Sequence, residues 1–193
     1  MNLMMFPRMF ASHDEGWAWL MRVHPSVPRM YFLYALPMSL IPPAMLLYAT
    51  SSYGEHILAG SMSMREAWML AVLFFIAEAV MVPVMGAVIQ RIGAIAEARP
   101  SYHDAFAFAA VVPTPLWLCA IVLFVPSLTI NALAVAIAVY LTGMLIYEGS
   151  YRIFQVDNEG KSLLLAGSVL AAGLVAWIAL MLMGFVAWGF AIA

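Results

Sequence analysis

The sequence has 193 residues, of which 66% are hydrophobic and only 9% are charged, and its mean hydropathy is +0.98. Soluble globular proteins carry about 25% charged residues, so this chain has too few to cover a water-exposed surface. Its net charge of −2 is too small to indicate a strongly acidic or basic partner, and its single cysteine, Cys119, excludes an internal disulfide. Composition therefore argues against a cytosolic enzyme, a nucleic-acid-binding protein and a disordered chain, and it predicts a protein solvated mainly by lipid.

Residues 1–29 are predicted to form a cytoplasmic segment that lies at the membrane interface. Charged residues interrupt its apolar runs, so this segment does not have the pattern of a secretory signal. Residues 12–24 carry apolar side chains on one helical face, and Pro25 ends the run. We expect a short surface helix in which Trp17 and Trp19 act as anchors at headgroup level; the alternative is a flexible tail.

Residues 30–193 are predicted to form an all-α, five-span membrane bundle. A helix needs about 20 mainly apolar residues to cross roughly 30 Å of hydrocarbon. The charge-free run between Asp104 and Glu148 is too long for one crossing, and residues 126–129 (Pro-Ser-Leu-Thr) favour a turn within it. The predicted spans are about 31–50, 67–90, 105–125, 129–147 and 163–188.

The positive charges predict the orientation of these spans. With five spans, one side of the membrane receives the N-terminal segment, the 91–103 loop and the 148–161 loop, which carry seven of the eight Lys and Arg residues. The opposite side receives Arg65. Because short loops rich in Lys and Arg remain in the cytoplasm, we expect the N-terminus to be cytoplasmic and the C-terminus to lie on the other side of the membrane.

Prolines interrupt several of the predicted spans. Pro83 lies in the second span, and Pro113 and Pro115 flank Thr114 in the third. A proline removes a backbone N–H and clashes with the carbonyl four residues earlier, so each is expected to kink its helix. The freed carbonyls need partners in neighbouring helices or in water. These four positions are therefore candidate hinge or binding residues; the alternative is that the bundle simply packs around the kinks.

Small residues recur at four-residue spacing in the fifth span, at Gly167 and Ala171 and at Ser168 and Ala172. Small side chains let helix backbones approach closely in lipid, where no hydrophobic force drives helices together. The pattern predicts close helix packing. The sequence leaves open whether the partner helix belongs to the same chain or to another subunit.

Glu78 is the one ionisable residue deep in a predicted span. A charged side chain at mid-membrane costs about 2.5–3.5 kcal/mol on insertion scales, so this carboxyl must be protonated, paired or next to water. One interpretation is a proton or cation pathway, although no second ionisable residue lies deep in a span to continue it. A second is a neutral carboxyl bonded to a carbonyl that a nearby proline frees. A third is contact with another subunit or a ligand.

No motif in the sequence predicts a catalytic or metal site. Gly-rich phosphate loops, nucleophile elbows, HExxH and CxxC patterns are all absent. His103 and Asp104 are adjacent near the start of the third span, and adjacent helical side chains point in different directions, so a shared metal is not expected. Asp104 is expected to complement the dipole of a helix N-terminus. We expect no catalytic residue, no metal and no cofactor.

Four stretches of the chain resemble a known family. Residues 100–106 (PSYHDAF), followed by residues 109–116 (AAVVPTPL), resemble the bacterial branch of the Yip-domain family, in which a cytoplasmic loop leads into a span with a Thr-Pro-Leu-like stretch. Residues 140–147 (YLTGMLIY) and the 158–162 loop (NEGKS) are also similar to that family. The resemblance implies five spans in an inner (plasma) membrane, with a cytoplasmic N-terminus and a periplasmic C-terminus. It implies no catalytic residues, and it implies eukaryotic relatives that interact with Rab GTPases.

The sequence thus supports a leading functional hypothesis and a rival. The first is a non-enzymatic scaffold or accessory subunit that contacts the lipid bilayer and a membrane-protein partner or a second copy of itself, with no nucleic acid. The rival is a small oligomeric transporter or channel built around Glu78. A membrane enzyme acting on lipid is the weakest alternative, because acid, base and metal ligands are not clustered in the sequence.

Overall fold

The computed structural model describes residues 13–57, 63–98, 100–154 and 159–191, and within these ranges every regular element is helical. Residues 1–12 of the predicted interfacial segment lie outside the described residues. Five helices are long and apolar enough to cross a membrane, which confirms the predicted fold class. They are span 1 (Val27–Tyr53), span 2 (Met64–Ile95), span 3 (Tyr102–Phe124), span 4 (Leu128–Phe154) and span 5 (Gly160–Ala187).

The helices extend several residues beyond the predicted spans. Span 4 belongs to a helix, Leu128–Phe154, that continues past Glu148, and span 5 belongs to the helix Glu159–Ala191. A backbone hydrogen-bond ladder does not need to stop where the apolar residues stop, because charged side chains can continue a helix into water. Span 2 begins with a capping box, in which the Ser63 hydroxyl accepts from the Glu66 N–H and the Glu66 carboxylate accepts from the Ser63 N–H.

Span 3 is the central helix of the bundle. Every residue from Ala105 to Val112 is buried. Four of these residues are alanines, which let neighbouring helices come close. Span 2 approaches the backbone of span 3 closely, because a Cβ built on Gly86 would lie 3.2 Å from the Cα of Phe106.

Two of the spans change their helical geometry at prolines. In span 1 the turn Tyr31–Ala35 is a π-helix that precedes Pro37, and a second helix, Ile41–Ile57, starts just before two further prolines. In span 3 the helix Tyr102–Val111 stops before Pro113, a new helix starts at Thr114, and residues Ala120–Phe124 end the span as a 3₁₀-helix. Span 2 stays continuous through Pro83.

The N-terminal helix, His13–Val23, packs into the bundle. Trp17 is 1% exposed, its ring lies 5.3 Å from that of Phe108, and it makes no hydrogen bond to the described residues through its indole N–H. The prediction of a headgroup anchor is therefore wrong for Trp17, because the space beside Gly149 and Phe108 takes its ring into protein. Trp19 is only partly buried at the edge of this core, so its role as an anchor stays a prediction.

We expect Gly149→Ala to destabilise the protein, because a Cβ there would lie 2.6 Å from the Trp17 ring and would also collide with Phe108. Overpacking a core costs about 1–3 kcal/mol, which exceeds the gain of up to about 1 kcal/mol from replacing a helical glycine by alanine. Gly143→Ala is the matched control on the same helix, since nothing lies within 4 Å of a Cβ at that position. Thermal unfolding in detergent should show a lower midpoint for Gly149→Ala and an unchanged or higher one for Gly143→Ala. Equal midpoints for the two variants would contradict the packing of Trp17.

Candidate functional site: a cavity around Glu78

A cavity of about 310 Å³ lies among spans 2 to 5, with Pro42 of span 1 also in its wall. Its wall on span 4 runs from Asn131 to Ile146, fifteen residues along the helix. At a rise of 1.5 Å per residue this corresponds to about 22 Å, so the cavity is long and narrow. Most of its lining is aliphatic or aromatic, which suits an apolar chain more than an ion or a sugar.

Glu78 lies in the wall of this cavity and is 8% exposed. The indole N–H of Trp117, on span 3, is the polar group next to its carboxyl group. The second oxygen, Oε2, is buried and has no partner among the described residues. The predicted bond between Glu78 and a proline-freed carbonyl is therefore not formed. The carboxyl instead joins span 2 to span 3 and keeps one oxygen unpaired.

Thr142 of span 4 is a second unpaired polar group in the same wall. Its Oγ1 is buried and has no hydrogen-bond partner among the described residues. Among the lining residues, Glu78 is the one acidic or basic side chain. A single carboxyl with a hydroxyl can exchange hydrogen bonds with one polar group of a ligand. A proton relay or an acid–base pair needs a second titratable group, and the other one in this wall, the Cys119 thiol, already donates to the Leu116 carbonyl. The arrangement therefore suits an amphiphilic molecule with one polar end.

Pro83 does free a backbone carbonyl, and span 1 provides its partner. The carbonyl four residues before Pro83 belongs to Ala79, and the hydroxyl of Tyr31 donates to it at 3.1 Å. The carbonyl of Pro83 itself accepts from the hydroxyl of Tyr102 at 3.4 Å. Both tyrosines supply the hydrogen bonds that lipid cannot, so this proline acts in helix packing within the described structure.

The Pro113-Thr114-Pro115 stretch is held by a similar chain of hydrogen bonds. Pro115 has no N–H for the carbonyl of Val111, and the Thr114 hydroxyl donates to that carbonyl instead. With its proton used in this way, the Thr114 oxygen accepts from the hydroxyl of Tyr34 at 2.6 Å. This buried chain fixes the break in span 3 directly against span 1.

Sequence reasoning identified Glu78 and the prolines but missed the residues that hydrogen-bond to them. Tyr31, Tyr34 and Trp117 each lie in an apolar run and carry one polar atom. Buried Tyr and Trp side chains usually find a partner for that atom. This preference marks them as hydrogen-bonding residues, but their partners lie up to 80 positions away in the chain, so the sequence alone does not pair them.

The fold and these contacts define a polytopic helical membrane protein. The family model of the Yip1 domain matches residues 7–180, so the chain belongs to the Yip1 domain family. Its similar curated relatives include the inner membrane protein YohC of Escherichia coli strain K12 and that of Escherichia coli O6:H1, each 28% identical over 186 residues that cover 94% of both chains. No solved structure matches the chain. The resemblance seen in the sequence is thereby confirmed.

We expect Glu78→Gln to leave thermal stability in detergent nearly unchanged, because the amide oxygen can still accept from Trp117. Glu78→Leu removes the acceptor and should cost about 0.6 kcal/mol, the average measured for hydrogen bonds between membrane helices. Glu78→Lys should be the least stable, at about 2.5–3.5 kcal/mol, because an ammonium group at this depth has no acidic partner among the lining residues.

Trp117→Phe provides the control for this series. In the Glu78→Leu background, Trp117→Phe should lower the thermal stability by less than it does in the parent, since the leucine side chain offers no acceptor to the Trp117 indole. A Gln variant as unstable as the Lys variant would contradict the pairing of Glu78 with Trp117.

Proposed function

We propose that this chain is a multi-pass inner-membrane protein that acts as a non-enzymatic scaffold or accessory subunit of a membrane assembly. Membership of the Yip1 domain family and the relatives named as inner membrane proteins support the location. The observation that carries the accessory role is the outward position of the small residues of span 5. Gly167 and Ala171 are exposed, and nothing lies within 4 Å of a Cβ built on Gly167.

This small-residue face favours a second helix as its neighbour. Residues of this kind let helix backbones pack closely, and lipid tails gain nothing from such a flat groove. Within the chain, span 5 packs through its other side, where Leu165, Ala166 and Val169 are buried. The Gly167 face therefore remains for another subunit, either a partner protein or a second copy.

We expect Gly167→Leu to weaken the proposed assembly while leaving the monomer folded, because the leucine side chain would fill the groove from outside. Ala136→Leu is the matched control, since Ala136 is also exposed but lies on span 4. Native mass spectrometry of the gently solubilised protein should show a complex in the parent and the control, and a monomer in Gly167→Leu. A monomeric parent would reject the scaffold proposal.

We also propose that the N-terminus is cytoplasmic. The same end of the bundle carries Arg22, Arg29, Arg91 and Arg152. There, Lys161 at the start of span 5 lies 4.0 Å from Glu97 in the connection between spans 2 and 3. The other end of the bundle carries Arg65. This distribution supports the positive-inside orientation.

Reporter fusions test that orientation. A reporter active only outside the cytoplasm should be active after Ala193 and silent within the 91–103 or 148–161 loop. The two loops serve as mutual controls because both connect spans at the same end. An inactive fusion after Ala193, with the full-length protein present in the membrane, would contradict the orientation or the odd number of spans.

A small oligomeric transporter is the second candidate function, and the unpaired Oε2 of Glu78 in the cavity favours it. An ion pathway within a single chain is disfavoured, because Glu78 is the only Asp, Glu, Lys, Arg or His side chain that lines the described cavity. Ion flux into liposomes decides between the two functions. Flux that disappears in the stable Glu78→Gln variant would support transport; we expect no flux in the parent protein.

A further inference from the structure

Two histidines and an aspartate meet where the N-terminal helix joins the bundle. The Oδ1 atom of Asp104 lies 3.5 Å from Nδ1 of His103 and 3.7 Å from Nδ1 of His24. One candidate ligand atom from each of the three side chains lies within 4.8 Å of the others. Ligand atoms about 2.0–2.1 Å from a tetrahedral Zn²⁺ ion are roughly 3.3 Å apart, so the two distances to Asp104 are close to those of a metal site.

The contact between His103 and the Pro25 carbonyl determines the tautomer of the His103 ring. Its Nε2 atom lies 2.8 Å from the backbone carbonyl oxygen of Pro25, and because a carbonyl only accepts, Nε2 carries the proton. In the neutral ring, Nδ1 is then an acceptor, and it faces another acceptor, Oδ1 of Asp104. A cation between them removes the repulsion. Metal-bound histidines are typically oriented in this way, by donating the other ring N–H to a carbonyl.

The other two side chains are also oriented by their surroundings. The Ser101 hydroxyl donates to Oδ2 of Asp104 at 2.6 Å, which leaves Oδ1 directed at the histidines. His24 has a φ of 41°, in the left-handed region, and its ring stacks on that of His103 with centroids 5.2 Å apart. A strained backbone of this kind persists only where the surrounding structure holds it, and it is here that the chain leaves the N-terminal helix for span 1.

We propose that His24, His103 and Asp104 bind one divalent transition-metal ion of the zinc type. Two imidazole nitrogens and one carboxylate oxygen suit Zn²⁺ and its neighbours, whereas Ca²⁺ and Mg²⁺ prefer sites built from oxygen alone. Three protein ligands leave one tetrahedral position for water or for a group of a partner. The ion joins the end of the N-terminal helix to the start of span 3. The prediction of no metal at His103 and Asp104 rested on their adjacency in the sequence, which does not show that the fold brings His24 beside them.

The test uses the full-length protein without a histidine tag, stripped with a chelator in detergent and titrated with zinc chloride. Isothermal titration and elemental analysis should give one Zn²⁺ per chain. His24→Gln, His103→Gln and Asp104→Asn should each weaken binding at least about tenfold, since even outer-shell changes cost 10- to 100-fold at such sites. Glu97→Gln, which alters a carboxylate 85% exposed on the same end of the bundle, should bind like the parent.

Cobalt substitution gives an independent readout, because Co²⁺ bound to nitrogen and oxygen in a tetrahedral site absorbs strongly in the visible range. The parent should show this absorption, and His103→Gln should not. Zinc should also raise the unfolding temperature of the parent, since an ion that binds the folded state stabilises it. Binding below one ion per chain, binding unchanged in the three variants, or equal binding of Mg²⁺ would each overturn the proposal. A variant that fails to fold leaves the zinc-dependent stabilisation of the parent as the deciding measurement.

Discussion

The lack of hydrogen-bonding partners in the lipid interior governs most of this structure. Each backbone group that a proline leaves unpaired must be satisfied by the protein, since no water is available at that depth. The hydroxyl of Tyr31 meets this need at Ala79, and Thr114 with Tyr34 meets it at Val111. The irregular helices are therefore hydrogen-bonded to neighbouring helices at the positions where their own backbone hydrogen bonds are missing. Span 1 takes part in both sets of hydrogen bonds, which explains why a helix with a π-turn and four prolines keeps a fixed place.

Close packing of small residues supplies the second part of the stability. Gly86 lets span 2 approach the backbone of Phe106, and Gly149 makes room for the Trp17 ring. A Cβ built on Gly93 would likewise meet Pro100 and Phe154. Lipid does not drive helices together, so the energy of these contacts comes from van der Waals packing, which depends strongly on distance. A single methyl group at one of these glycines therefore matters more than the loss of an exposed leucine.

The sequence predicted the spans well because length and charge are local properties. The five apolar runs and Glu78 could be recognised without knowledge of any contact. The surroundings of each residue could not be predicted in this way, since they depend on residues far along the chain. Trp17 illustrates the point: its helix was predicted, but the space that receives its ring is made by Phe108 and Gly149. His24 illustrates it again, because only the fold brings it to His103 and Asp104.

The burial of Trp17 also imposes an order on assembly. The N-terminal helix is synthesised before span 4, and Trp17 cannot take its final place until Gly149, near the end of span 4, has been made and inserted. Until then the indole lacks the part of its surroundings that span 4 provides, and Phe108 of span 3 covers it only in part. The same tryptophan thus has a temporary environment in the nascent chain and a permanent one in the finished bundle. Trp17 passes from the first environment to the second when span 4 is complete.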